Sequence, residues 1–244
     1  MPENSDYSFS WDGESLRVKI LYSRAGFSQH ILIESDRGAL LFDTGDGILR
    51  DIITCGLDKD SIEAIFFTHG HFDHMGGLHP LLGFLRMIGR KKELHILAPE
   101  NCLEVISAVE NFLKLYSATT LFEIYLNRAR PGEKYEFAGM VIQPFPVIHC
   151  GSIEGKGIMD QIPAVGYRIS CGDEIVVISG DTGDCESLRD NVRGADFAII
   201  EATFAASEEA TDEELKKVHL SEDLASEIGK TAKEYILVHK GCRA

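Results

Sequence analysis

Four candidate metal ligands follow an apolar segment in the first third of the chain. Residues 64–67 form the apolar run, and His69, His71, Asp73 and His74 follow it within a span of six positions, 69–74. A strand that ends in a glycine-bearing loop can direct several side chains at one point, and imidazole nitrogens with carboxylate oxygens are the usual ligands of catalytic zinc. The spacing therefore predicts a metal site, with solvated loop histidines as the alternative.

Three further candidates share a position at the predicted ends of strands. They are His149 after strand 140–148, Asp181 after the apolar run 175–178, and His239 after strand 235–238. Taken singly, each is typical of an ordinary loop or turn residue. Their common position at strand ends, where functional residues of α/β proteins concentrate, favours one shared site.

The elements that must position these residues are predicted from apolar periodicity. In the first half the pattern predicts strands 16–20, 30–33 and 39–42, then helix 46–55, strand 64–67, helix 78–88, strand 94–97 and helix 100–116. In the second half it predicts strands 121–126, 134–137, 140–148, 164–170 and 174–178, then helices and a last strand at 235–238.

Two of the helices in the second half carry capping signals. Thr211 has a glutamate three residues later, which is the capping-box pattern, and Ser221 is placed to cap a helix with a small face of Ala225, Ile228 and Ala232. Strands followed by helices, twice along the chain, predict two mixed sheets with helices outside them. We therefore expect an α/β protein built as a four-layer αββα sandwich.

Composition and charge restrict the class of protein. The 244 residues are 44% hydrophobic and 26% charged, which is typical of a globular chain, and we expect a single domain over residues 1–244. The formal net charge is −15, which repels polyanions at long range, so DNA is not expected as a partner.

The cellular compartment and the oxidation state of the cysteines are predicted from the apolar pattern and the cysteine spacing. The first ten residues lack the pattern of a signal peptide, and no apolar run reaches the roughly 18 residues that span a bilayer, so we expect a cytoplasmic protein without a membrane partner. Six widely spaced cysteines are interpreted as reduced thiols. Cys150 and Cys185 lie near candidate ligands, and a small buried side chain is favoured over a ligand for each.

Between residues 16 and 243 the sequence resembles the metallo-β-lactamase superfamily. The resemblance implies an αββα sandwich with a metal site along one edge of its sheets, and it implies that Asp43 in Phe42-Asp43-Thr44-Gly45 orders that site. It also implies two divalent ions, zinc first, with manganese or iron also suited. The implied ligands are His69, His71 and His149 for one ion, Asp73, His74 and His239 for the other, and Asp181 as the bridge.

The last third resembles the ribonuclease Z branch of that superfamily. The matching segments are Glu201-Ala202-Thr203-Phe204, His219-Leu220-Ser221 and Arg243. The resemblance implies hydrolysis of a phosphodiester, in which Asp73 accepts a proton from the attacking water and His219, oriented by Glu201, donates one to the leaving oxygen. A surface carboxylate and a helix-entry histidine are the alternatives for Glu201 and His219.

Several departures from the branch concern the substrate. The long arm with which ribonuclease Z grips transfer RNA is replaced by the short connection 169–178, its G-T-x-x-x-x-P segment is absent around 23–29, and Ile200 stands where the branch has a histidine. The basic cluster of Arg86 with residues 90–92 is interpreted as a solvated helix end rather than an RNA-binding patch. Residues 152–161 are the predicted specificity loop, with a simple connection as the alternative.

Three functions remain open on the sequence alone. The leading one is a phosphodiesterase that acts on RNA 3′ ends or on small or cyclic phosphodiesters. The second is a thioester or lactone hydrolase similar to glyoxalase II, and the third is a metal-binding protein without turnover. The oligomeric state is also open, with a homodimer as one option.

Overall fold

The computed structural model describes residues 9–58, 60–153, 156–207 and 210–241. Arg243 and Cys242 lie outside these residues, as does part of the predicted specificity loop. The chain forms two compact units. The first unit comprises the described part of Met1–Arg128 with Phe137–Gly139, and the second comprises Ala129–Glu136 with the described part of Met140–Ala244. The single domain expected over 1–244 stays a prediction.

Seven strands make the sheet of the first unit, and they lie in chain order. They are β1 (Phe9–Asp12), β2 (Arg17–Arg24), β3 (Ser28–Glu34), β4 (Ala39–Phe42), β5 (Ile62–Phe66), β6 (Leu94–Pro99) and β7 (Ile124–Ala129). Strands β1 to β4 pair antiparallel, and β4, β5 and β6 pair parallel. Every residue of β4 is buried, which explains a continuous apolar run in place of alternation.

Four helices accompany this sheet: α1 (Ile48–Thr54), α2 (Phe72–Met75), α3 (Leu78–Met87) and α4 (Leu103–Tyr116). The core of the unit joins alternate residues of the sheet, such as Leu41 and Ile65, to apolar helix residues such as Leu81 and Val109. The predicted helices at 46–55, 78–88 and 100–116 are therefore confirmed with shorter bounds. The short helix α2 was not predicted, because the candidate ligands hide its periodicity.

The second unit contains a six-stranded mixed sheet with the order β15-β14-β13-β12-β9-β8. Its strands are β8 (Tyr135–Phe137), β9 (Met140–Pro146), β12 (Val165–Cys171), β13 (Glu174–Ile178), β14 (Phe197–Glu201) and β15 (Glu234–Val238). Strands β10 (Cys150–Ile153) and β11 (Gly157–Gln161) form a separate antiparallel hairpin. The predicted loop 152–161 is thus largely a hairpin, and strand β14 was missed although all five of its residues are buried.

The helices of the second unit are α5 (Glu186–Val192), α6 (Asp212–Lys217) and α7 (Glu222–Gly229). Thr211 and Glu214 form the predicted capping box of α6, and Ser221 caps α7 through the Leu224 N–H. Ala225 and Ile228 are buried in α7 as expected, but the helix ends at Gly229, so Ala232 is not part of its face. No helix of the described residues combines the length and the apolar character needed to span a bilayer.

Strand direction in each unit determines where the candidate ligands emerge. Strands β4 and β5 are parallel, so Asp43 and the segment that begins at Thr68 leave the first sheet at the same edge. Strands β13, β14 and β15 are parallel, and β9 runs in their direction because both β9 and β13 pair antiparallel with β12. The residues that follow β9, β13 and β15 therefore leave the second sheet at one edge.

Candidate metal centre

Asp43 holds the ligand loop of the first unit, which comprises residues 68–77. One carboxylate oxygen accepts the Thr68 N–H at 2.8 Å, and the other accepts the Thr68 hydroxyl and the His74 Nδ1–H, each at 2.8 Å. All three residues are buried. Because the Thr68 hydroxyl donates to Asp43, its oxygen is left to accept the His69 Nδ1–H at 3.1 Å. One carboxylate thus orients two histidine rings of the loop.

The backbone around Asp43 is fixed by close contacts with the same loop. Asp43 has a positive φ of 58°, which non-glycine residues rarely adopt. The Thr44 N–H donates to the His74 carbonyl at 2.6 Å, and a Cβ on Gly45 would lie 2.2 Å from the Asp73 carbonyl oxygen. Glycine is therefore required at position 45 for the two segments to approach this closely.

The other candidate ligands of the loop lie within reach of one another. His69 and His71 have ring centroids 4.6 Å apart, and those of His69 and His74 are 4.1 Å apart. Asp73 accepts the Gly26 N–H at 2.8 Å from the turn between β2 and β3. Ligand atoms of Asp73 and His74 lie within 4.8 Å of each other, a spacing that could hold one ion.

In the second unit each candidate ligand has its own anchor. His149 donates from Nδ1 to the Val218 carbonyl at 2.8 Å. Nδ1 of His239 lies 3.1 Å from the Thr203 hydroxyl and 3.4 Å from the Asp181 carboxylate. Like Asp43, His239 has a positive φ, of 53°, at the point where the chain leaves its strand.

Four of the five histidines predicted as ligands share one arrangement of the ring. In each, Nδ1 lies against an oxygen acceptor, which assigns the proton to Nδ1 and leaves the Nε2 lone pair for a ligand. The four are His69, His74, His149 and His239. This is the way in which proteins usually fix metal-binding histidines.

Glu201 and His219 form a buried pair in the second unit. Glu201 is fully buried and accepts five hydrogen bonds: from the N–H groups of Thr182, Thr203 and Leu220, from the Thr203 hydroxyl, and from His219 Nδ1 at 2.8 Å. Five donors and no acceptor around one carboxyl group match the ionised form. The alternative of a surface carboxylate is therefore wrong for Glu201.

His219 also lies beside the candidate ligands. Its Nδ1 is 4.0 Å from a carboxylate oxygen of Asp181, and its ring centroid is 5.1 Å from that of His149. Asp181, His219 and His239 offer ligand atoms within 4.8 Å of one another. The geometry thus allows His219 to act as an acid oriented by Glu201 or as a ligand.

The donor set of both units fits divalent metal ions. It consists of imidazole nitrogens and carboxylate oxygens, most of them buried and with fixed rings, which suits zinc and also manganese or iron. Among the described residues, no group that could hold an ion includes a cysteine. Cys150 is a buried free thiol, as the sequence favoured, whereas the free thiol Cys185 is only half-buried. Burial raises the pKa of a third cysteine, Cys102, to about 12.

The basic cluster is exposed to solvent at Lys91 and Lys92, as predicted, but not at Arg90. Arg90 is fully buried and donates to three carbonyl oxygens, those of Ile62, Lys92 and Glu93, at 2.7 to 2.8 Å. Lys92 pairs with Glu63, and Arg86 lies over the Tyr116 ring. The interpretation fails for Arg90 because helix α3 ends at Met87, so the arginine turns inward to satisfy carbonyl groups that the sequence pattern does not reveal.

Two departures from the ribonuclease Z pattern are confirmed. Strands β12 and β13 are joined by a tight turn, in which Cys171 pairs with Glu174, so no arm projects at this point. Ile200 is buried in the apolar core of the second unit. Sequence reasoning missed Thr203, which contacts both Glu201 and His239, and Gly26, which contacts Asp73. Thr203 lay within the quoted Glu201–Phe204 segment, whereas Gly26 gave no signal.

Comparisons with known proteins identify the family and the fold. Residues 39–239 match the family model described as the beta-lactamase superfamily domain. The ribonuclease Z of Pyrococcus abyssi is 27% identical over 87% of this chain and 80% of its own length. The metallo-β-lactamase fold protein YhfI from Bacillus subtilis has a TM-score of 0.74, with 21% identity over 95% of this chain and 88% of that one.

A second solved structure extends the likeness in fold. The short form of human tRNase Z has a TM-score of 0.74, with 19% identity over 92% of both chains. The match to the family model covers most of the chain, and it includes every candidate ligand. The predicted α/β class and metal-dependent hydrolase are thereby confirmed. The chain belongs to the beta-lactamase superfamily domain family and is a metal-dependent hydrolase similar to ribonuclease Z.

Proposed function

We propose that the chain is a phosphodiesterase with a dinuclear metal site, zinc being the first candidate. His69, His71 and His149 would hold one ion, Asp73, His74 and His239 the other, with Asp181 between them. The proposal is supported by the four histidines that present Nε2 and by the identity to ribonuclease Z. Bound divalent ions supply Lewis acidity toward a phosphoryl oxygen and a hydroxide nucleophile at neutral pH.

The observation that carries the phosphodiesterase assignment is the Glu201–His219 pair. Nδ1 of His219 donates to a buried carboxylate that four other donors hold in place. An imidazolium next to such a carboxylate keeps a second proton on Nε2, and this proton can pass to a leaving oxygen. An alkoxide leaving group needs that proton, whereas a thiolate leaves without it, so the pair favours a phosphodiester over a thioester.

The role of Asp73 in the proposal is to accept the proton of the attacking water. One of its carboxylate oxygens is held by the Gly26 N–H at 2.8 Å, and its side chain is largely buried. This bond restrains the orientation of the carboxylate. We assign Asp73 this role together with its role as a ligand.

Among phosphodiesters we favour small or cyclic ones over precursor transfer RNA. The net charge of −15 repels a polyanion, and Arg90, at the centre of the basic cluster, is fully buried. The tight turn between β12 and β13 offers no arm for gripping RNA. An RNA 3′ end remains the second substrate to be assayed.

The test compares leaving groups rather than a single rate. Wild type, His219→Ala and Glu201→Gln are loaded with zinc and assayed on bis(p-nitrophenyl) phosphate and on a dinucleotide with an alkoxide leaving group. We expect His219→Ala to lose about 100-fold or more in kcat on the dinucleotide and far less on the aryl ester, because a nitrophenolate leaves without an acid. His79→Ala, an exposed histidine outside the site, is the matched control.

Equal losses on both substrates, with a lower metal content, would assign His219 to the ligands instead. Turnover of a thioester without turnover of either phosphodiester would replace the proposal by the acyl-hydrolase alternative.

A further inference from the structure

A buried hydrogen-bonded chain of polar residues, Ser28–His30–Asp51, lies in the first unit, and none of its members is a candidate ligand. The Ser28 hydroxyl lies 3.2 Å from Nδ1 of His30, and Nε2 of His30 lies 2.8 Å from a carboxylate oxygen of Asp51. Ser28 and His30 have no exposed surface, and the Asp51 side chain is 16% exposed. Serine, histidine and aspartate in this order are the residue types of a hydrolytic triad.

Ser28 and His30 do not act as a nucleophile with its general base. The Ser28 hydroxyl lies 2.8 Å from the Asp46 carbonyl oxygen, closer than it lies to His30. A carbonyl can only accept, so the single proton of Ser28 belongs to that bond. The serine is also fully buried, which excludes attack on a substrate.

Counting protons then determines the state of the histidine. With its own proton on the Asp46 carbonyl, the Ser28 oxygen can only accept from His30 Nδ1. Both carboxylate oxygens of Asp51 accept from Arg50, which matches the ionised form of Asp51. An ionised carboxylate can only accept, so Nε2 of His30 must donate to it. Burial would raise the pKa of Asp51, but the hydrogen bonds from His30 and Arg50 outweigh it and lower the pKa. Only an imidazolium, which donates from both ring nitrogens, satisfies every contact.

The surroundings of His30 agree with a buried cation paired to an anion. The Tyr22 ring stacks beside it at 6.1 Å between centroids, and from α1 the charged groups that face it are Asp51 and, beyond that carboxylate, Arg50. Among the described residues, no other charged side chain contacts His30.

The far end of the chain is attached to the loop that carries Asp43. Ser28 donates to the Asp46 carbonyl, and the Gly45 N–H donates to the neighbouring Gln29 carbonyl at 3.0 Å. A Cβ on Gly45 would lie only 2.3 Å from the Ser28 hydroxyl oxygen, so the serine is in close contact with this loop. The start of β3 and residues 43–46 are therefore joined by direct hydrogen bonds and close packing.

We propose that Ser28, His30 and Asp51 are positioning residues which hold the loop of Asp43, with His30 as an imidazolium. Asp43 in turn orients His69 and His74, so the geometry of this half of the metal site depends on a charged histidine that binds no metal. The inference rests on the proposed function only in taking His69, Asp73 and His74 as ligands.

The first experiment reads the charge of the ring without any metal. Nitrogen-15 spectra of histidine-labelled apoprotein at pH 7 are expected to show one buried ring with both nitrogens protonated, assigned by its loss in His30→Gln. Asp51→Asn removes the anion and is expected to convert the ring to a neutral form. A neutral His30 ring in wild type would overturn the imidazolium.

The second experiment measures zinc affinity by competition with a chromogenic chelator. Ser28→Ala and Asp51→Asn are expected to bind zinc about tenfold more weakly than wild type, with native circular dichroism. Arg50→Ala is the control, since it removes only the outer partner of Asp51 and is expected to stay within twofold.

Unchanged zinc affinity together with a lower melting temperature would make the three residues merely structural and overturn the positioning role. If wild type binds no zinc at all, the proposed metal site fails and the positioning role with it, whereas the nitrogen spectra still decide the charge of His30.

Discussion

The two units hold their candidate ligands in different ways. In the first unit four ligands lie within six residues, and one carboxylate, Asp43, orients two of the rings. In the second unit His149, Asp181 and His239 come from three strand ends, and each histidine has a separate anchor. The first arrangement concentrates its dependence on a single side chain, and the second spreads it over several.

Removal of the shared anchor should have the largest effect on zinc affinity. Asp43→Ala takes the acceptor from the Thr68 N–H, the Thr68 hydroxyl and His74, all of them buried. We expect zinc affinity to fall by about 100-fold and the free energy of unfolding by about 2–3 kcal/mol. Chelator competition and urea titration measure the two quantities.

Asp43→Asn is the matched control for this change. Asparagine tolerates the positive φ at position 43, so the variant separates the loss of charge from backbone strain. Zinc affinity within threefold of wild type in Asp43→Ala would contradict the claim that the first unit depends on one carboxylate.

The buried arginine of the first unit should matter for stability alone. Arg90→Leu leaves three carbonyl oxygens without their donor, so we expect a loss of about 3 kcal/mol in the free energy of unfolding. The kcat/KM of the folded variant should match that of wild type. Arg86→Ala, which loses a contact with the Tyr116 ring, is expected to cost less than about 1 kcal/mol.

Measuring the binding of an RNA oligonucleotide distinguishes a purely structural role of Arg90 from a role in RNA binding. Weaker RNA binding by Arg90→Leu at unchanged stability would restore the basic cluster as a nucleic-acid patch.

Removal of one separate anchor in the second unit should lower zinc affinity less than removal of Asp43 does. Thr203→Val removes the hydroxyl that contacts Glu201 and His239 Nδ1, while the Asp181 contact with the same nitrogen stays. We expect zinc affinity to fall by about tenfold. Thr203→Ser keeps the hydroxyl and should recover most of the affinity. A loss as large as that of Asp43→Ala would remove the contrast between the units.

The smallest expected effect is an acid-sensitive contribution away from both sets of ligands. Burial would raise the pKa of Glu63, but hydrogen bonds from Lys92 and the Ala138 N–H outweigh it and lower the pKa. Because the pKa of Glu63 is lower in the folded protein than in the unfolded chain, its charge stabilises the fold at pH values above the unfolded pKa. This contribution is lost as the pH falls through the folded pKa.

At pH 7 we therefore expect Glu63→Gln to be less stable than wild type by about 1 kcal/mol, and we expect this gap to close as pH falls below about 4. Urea titrations at a series of pH values measure it. A gap that stays constant down to pH 3 would show that the charge of Glu63 is not responsible.

The contrast between the units also explains which parts of the site could be predicted. His69, His71, Asp73 and His74 formed a contiguous pattern whose spacing alone indicated metal chemistry. His149 and His239 were weak signals singly, and they were raised by their shared position and by the family resemblance. Their roles as ligands stay predictions, as do zinc, the bridge at Asp181 and a homodimer.

Elements were predictable where local pattern was strong, and missed where it was masked. The capping box at Thr211 and strand β4 were confirmed nearly residue by residue. Strand β14, which carries Ile200 and Glu201, was missed because its run is short and fully buried, and such a run has no alternation to reveal it. Arg90 was misread because a basic residue after a helix is usually solvated.

The sequence by itself determined the pattern of candidate ligands at 69–74, the helix caps, most of the strands and helices and the family resemblance, since these depend on residues close together along the chain or on motifs. Only the tertiary structure decided which oxygen each Nδ1 contacts, that Glu201 has five donors, and that Ser28, His30 and Asp51 form one buried chain. The Val218 carbonyl and His149 are 69 residues apart, and Thr203 and His239 are 36 apart. Such contacts follow from the direction and order of strands in a sheet, which local periodicity does not specify.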